Sequence, residues 1–165
     1  MPVLFDFSEL DMQIINNEAI RRQSENQSNM LAGRNGGPSI GNKALNIHVL
    51  GAAGELAVAD YLGLRKYLYS EKNPKRGSSD LPPNIDVKTR SKHYYDLICQ
   101  LDESPCKILV LVTVKDKRAF IHGWITSKNA MNDKWINDPA GGRKAYFVPK
   151  SELFSIESLK DSSFF

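Results

Sequence analysis

The chain has 165 residues, of which 22 are Lys or Arg and 19 Asp or Glu, for a net charge of +3. Its length suits one domain, and its 41% apolar side chains supply a packed core, which excludes a disordered chain. The longest apolar run, residues 108–114, has the length of a strand and falls far short of the roughly 20 residues that span a bilayer, so no membrane partner is expected.

Residues 1–43 read as a helical arm with a Gly-rich hinge loop, and residues 44–165 as the main domain. Residues 9–29 are polar and Asn/Gln-rich, with weak helical spacing through Ile14, Ile15 and Met30, and the breaker cluster at 33–38 follows. The first ten residues hold Asp6 and Glu9 and no basic residue, which does not read as a signal peptide. From 44 to 62 the helical signal is clear. Leu45, His48, Val49, Ala52, Leu56, Ala59 and Leu62 share an arc of roughly 140°, and Gly63 suits the C-cap. Strand-like runs follow at 64–69, 84–90, 107–114 and 119–126, with a weaker one at 144–148 and a charged hairpin turn at 115–118. Residues 92–101 fit a helix or a strand equally. The pattern predicts one α/β or α+β domain with a helix ahead of its sheet. Cys99 and Cys106 form no CxxC pair, so no zinc or redox motif is expected. A cytoplasmic location is expected, in the host if the chain is viral.

Glu55 is the main anomaly. It lies inside the apolar arc of its helix, where a carboxylate costs several kcal/mol (about 3 or more) unless a cation or hydrogen bonds compensate it. The bland reading is a structural glutamate paired with a lysine. Downstream, alternation in residues 84–90 puts Asp86 and Lys88 on one face and Ile85 and Val87 on the other. The turn signal Pro82-Pro83-Asn84 can bring Asp80 back beside the start of that strand. Three carboxylates and a lysine then converge at a sheet edge, an oxygen-rich set that suits Mg²⁺. A lysine beside such an ion can orient water and offset charge on a phosphoryl group.

At these residues the sequence resembles the PD-(D/E)XK nuclease superfamily, and its small phage and bacterial, resolvase-like members in particular. Glu55 in Gly51-Ala52-Ala53-Gly54-Glu55 is similar to the helix glutamate, Asp80 to the first acidic ligand, and Asp86-Val87-Lys88 to the (D/E)xK element. Gly123-Trp124-Ile125 and the stretch 145–149 resemble the C-terminal half of those members. Ser79 stands where the motif has proline, and Asp80 and Asp86 are close in sequence, which demands a very tight turn. Glu71 and Asp60 are the reserve ligands. The resemblance implies a restriction-endonuclease-like α/β fold, a mixed central sheet flanked by helices. It also implies a Mg²⁺-dependent deoxyribonuclease, with Mn²⁺ as substitute: Glu55, Asp80 and Asp86 as metal ligands and Lys88 as catalytic lysine. The rivals are a non-catalytic DNA-binding or assembly protein that keeps the fold, and a nucleotide phosphate-ester hydrolase.

Cations flank the acidic cluster. Lys75 and Arg76 before it, and Arg90 and Lys92 after it, are the expected contacts to DNA phosphates. Tyr94 and Tyr95 can stack on bases, though core tyrosines are the preferred reading. Like charges crowded at the site predict that Asp86→Ala leaves metal-free stability unchanged or raises it. The arm carries Val3, Leu4, Phe5, Phe7, Leu10, Ile14 and Ile15, so it should dock on its own domain or on a second copy, and a homodimer through the arm is expected.

Overall fold

A strand with apolar side chains on both faces has to be covered on both sides. The computed structural model, which describes residues 1–29, 41–70 and 78–162, puts the run at 108–114 in the middle of the molecule. The strands are β1 (Val3–Asp6), β2 (Ile85–Arg90), β3 (Leu97–Gln100), β4 (Ile108–Lys115), β5 (Arg118–Thr126), β6 (Ile136–Asn137) and β7 (Ala145–Val148). The helices are α1 (Glu9–Asn29), α2 (Gly41–Leu62), α3 (Ser127–Ala130) and α4 (Ile156–Lys160). One sheet has the order β1-β5-β4-β2, and the other β3-β7-β6. The first is mixed, since β2 runs parallel to β4 while the β4–β5 and β5–β1 pairs are antiparallel. Among the described residues the fold is therefore mixed α/β, with two sheets and four helices.

Alternation along β4 sorts the core into two halves. Ile108, Val110, Val112 and Val114 join Ala52, Leu56 and Ala59 of α2 and Ile15 of α1. Leu109 and Leu111 face the second sheet, through Leu97, Cys99 and Val148. Helices thus cover one face of the mixed sheet, and the small sheet covers most of the other. β2 is left at the sheet's edge.

Helix α2 ends as its sequence predicts. Gly63 takes φ +72°, its N–H donates to Asp60 O at 3.2 Å, and the Leu64 N–H donates to Ala59 O at 2.7 Å, a Schellman closure. The expected strand at 64–69 is corrected to a short 3-10 turn over Arg65–Tyr67. Tyr69, at the end of that run, reaches back instead and donates its hydroxyl to the carbonyl of Ala52 on α2. The ambiguity at 92–101 resolves as the strand β3, with Leu97 and Cys99 buried.

The N-terminal arm docks on its own chain. Ser8 and Asp11 form a reciprocal cap at the start of α1, with both backbone-to-side-chain bonds at 3.0 Å. The strand β1, which helical spacing does not announce, pairs with β5 from Val3↔Ile121 to Asp6↔Arg118. Asp11 also takes a 2.6 Å ion pair from Arg65. The expected hinge at 33–38 lies outside the described residues.

Candidate active site

Glycines let α2 approach the edge strand. A Cβ on Gly54 would lie 1.9 Å from Thr89 Oγ1 of β2, so only glycine allows this helix-to-strand distance. Glu55, the next residue, is thereby carried to the rim of β2, where its side chain is 11% exposed. Its partner is Arg22 of α1, not a lysine: Nη2 donates to Oε2 at 2.7 Å and Nη1 to Oε1 at 3.3 Å. A Cβ on Gly51 would lie 3.5 Å from that guanidinium, an ordinary contact, so Arg22 passes close over the α2 backbone here. Arg22 also lies 5.3 Å over the ring of Tyr69.

The tight turn between Asp80 and Asp86 forms as required. Leu81 and Ile85 exchange both backbone hydrogen bonds, at 3.0 and 2.9 Å, folding residues 80–81 back along the free edge of β2. The Asp80 carboxylate takes the next rung by accepting from the Val87 N–H at 2.8 Å, and the Asp80 N–H donates to Asp86 Oδ1 at 3.3 Å. Side-chain alternation sends Ile85, Val87 and Thr89 towards α2, and Asp86 and Lys88 to the other face. Because β2 is an edge, the two faces meet around it. Glu55, Asp80, Asp86 and Lys88 all line one cavity of about 800 Å³, which also takes in Arg90, Tyr95, Glu103 and Lys107.

Both lysines of this cavity are paired with acids. Lys107 Nζ donates to Asp86 Oδ2 at 2.8 Å and to the Ser78 carbonyl at 3.2 Å. Lys88 Nζ donates to Glu103 Oε2 at 2.9 Å. Burial pushes the Glu55 carboxyl up, Arg22 pulls it partly back, and the charges of Glu18 and Asp86 add to the rise. Asp80 is exposed to solvent on its outer side, and protein packs around the rest of it. Burial, then the charges of Glu55 and Asp86, push its carboxyl up to about 7. That places all three carboxylates within electrostatic reach of one another.

Comparison with protein-family models, with curated proteins and with solved structures finds no match. The site therefore has to be judged on its own chemistry. The candidate ligands are all carboxylate oxygens, which fits a hard divalent cation in kind. Among the described residues no three His, Cys, Asp or Glu side chains are gathered as a ready-made cage. Glu55 and Asp86 are turned instead to Arg22 and Lys107, so a cation here would compete with two protein cations.

Of the expected DNA contacts, Arg90 lines the cavity and Lys92 is exposed beside it, while Lys75 and Arg76 lie outside the described residues. The reserve ligand Asp60 sits away from the cavity, in an exposed pair with Arg65 at 3.0 Å, and Glu71 is outside the described residues. Three residues escape sequence reasoning: Arg22, Glu103 and Lys107. Lys107 alone carries a signal. It abuts the five-residue apolar run 108–112, where a lysine needs an anion to be buried.

Proposed function

We propose that the chain is a metal-dependent nuclease that hydrolyses DNA phosphodiester bonds, built on a restriction-endonuclease-like core of the PD-(D/E)XK type. The observation that carries this reading is the meeting of Glu55, Asp80, Asp86 and Lys88, from three separate segments, around the free edge of β2. Three carboxylates crowded in this way repel one another, and a divalent cation relieves that repulsion. Asp80 and Asp86, with Glu55, are the residues that would hold Mg²⁺. When bound, the ion supplies Lewis-acid polarisation of a phosphoryl oxygen and lowers the pKa of water. Lys88 presents an ammonium to the same space, oriented by Glu103, where it can hold the attacking water and offset charge developing on phosphate. Arg90 is placed to draw the DNA backbone towards carboxylates that would otherwise repel it.

A second reading has its own observation. The Arg22–Glu55 and Lys107–Asp86 pairs already neutralise two of the three carboxylates, which suits a non-catalytic DNA-binding protein that keeps the fold. Cleavage separates the two. Linear, circular, single-stranded and branched DNA are incubated with Mg²⁺ or Mn²⁺ and with wild-type protein or Lys88→Ala. The nuclease reading expects metal-dependent cutting of at least one form and its loss, by about 100-fold or more, in Lys88→Ala. Binding without cutting by the wild type supports the second reading.

A further inference from the structure

Beyond the carboxylates, the cavity continues along β2 to Arg90 and into a turn at residues 91–95, where the side chains change character. The Arg90 guanidinium lies 4.2 Å over the Tyr95 ring, and both residues line the cavity. Tyr95 meets Tyr94 edge to face at 5.0 Å, and Tyr94 meets His93 in the same way at 5.7 Å. The result is a continuous row of aromatic rings leading from the cavity to the surface. Tyr94, the middle ring, is 62% exposed, so it is not the core tyrosine that the sequence suggests.

Charge follows the same path. Residues 90–95 contain Arg90 and Lys92 and no acid, and Lys150 adds a third cation by donating to the His93 carbonyl. Asp96, the next acid, is occupied locally: its carbonyl accepts from Arg90 at 2.9 Å, and its carboxylate accepts from the Lys150 N–H at 3.3 Å. Cations interleaved with accessible rings fit an unpaired polynucleotide, whose bases stack on the rings while its phosphates meet the cations. A blunt duplex keeps its bases inside and offers Tyr94 only backbone.

We propose that residues 90–95 are a stacking platform for single-stranded DNA, leading an unpaired strand into the cavity. This rests on the nuclease reading above and adds to it the strandedness of the substrate. Tyr94 takes a base, Arg90 and Lys92 take phosphates, and Tyr95, held under Arg90, forms the inner step.

The test is fluorescence anisotropy in EDTA, with a labelled single-stranded oligonucleotide and a blunt duplex of the same sequence. Tyr94→Ala should weaken single-strand binding about tenfold, with a much smaller change on the duplex. Tyr94→Phe, which keeps the ring, should restore it. Lys92→Ala should lower the salt slope by about one unit, whereas Tyr94→Ala should leave the slope in place. Equal losses on both DNAs, no loss, or no rescue by phenylalanine overturns the platform. Metal is absent, so the result is separate from cleavage. Tyr94-dependent binding by a protein that cuts nothing keeps the platform and removes the nuclease; cutting that is indifferent to Tyr94 does the reverse.

Discussion

The two edges of the mixed sheet handle charge in opposite ways. At the β1 edge, Asp6 and Arg118 meet at 2.6 Å across the β1–β5 pair, with side chains 68% and 49% exposed. At the β2 edge, Asp86 and Lys107 meet at 2.8 Å with side chains 11% and 8% exposed. An exposed pair gains little because water already solvates both ions, whereas a buried pair has lost that water and depends on its partner. Of the two edges, only β2 gathers carboxylates that a packed apolar edge would do without. That difference is why the proposed chemistry rests on β2 and not on β1.

Breaking the matching pairs gives the largest contrast. Asp86→Ala leaves the Lys107 ammonium buried without its carboxylate, so metal-free stability should fall by about 3 kcal/mol in denaturant unfolding. This reverses the expectation from like-charge crowding alone, because Lys107 was not foreseen. Asp6→Ala, the same break at the other edge, should leave the unfolding midpoint unchanged.

Gly54→Ala sharpens the comparison at the helix. The added Cβ meets Thr89 Oγ1, and the strain should cost about 2 kcal/mol, net of alanine's better helix propensity. Thr89 Oγ1 is buried with no hydrogen-bond partner, so Thr89→Ala should cost little alone and should recover part of the loss in the double variant.

A smaller effect is the pH dependence from Asp80. Its carboxyl sits at about 7 in the fold against an ordinary 3.8. Between those values the folded chain holds a proton that the unfolded chain releases, so this group's contribution to stability is lost as pH rises from about 4 to about 7. Asp80→Asn should flatten that decline and leave the metal-free variant more stable than wild type above pH 7. A variant with the wild-type slope would assign the decline to other groups.

Much of this arrangement was legible in the sequence. The apolar runs announced β2, β4, β5 and β7, since burial on both faces or on alternate residues leaves a local pattern. Glu55 stood out because a carboxylate in an apolar arc needs a long-range explanation. The partners were not legible, because Arg22 meets Glu55 across 33 positions and Lys107 meets Asp86 across 21, and nothing local encodes those pairings. The 3-10 turn at 65–67 departs from the expected strand for a related reason. Its apolar residues pack back on α2 through Tyr69, and this tertiary contact outweighs strand propensity. Strand β1 goes unannounced because its apolar residues Val3, Leu4 and Phe5 read as part of the helical arm that follows.

The most direct test of the central claim, that the β2 edge is built to take a divalent cation, is calorimetric titration of Mn²⁺ into wild-type protein and Asp80→Asn at pH 8, without DNA. Saturable binding by the wild type that Asp80→Asn weakens by about tenfold or more is the predicted result. No binding by the wild type, or equal binding by both proteins, would contradict it.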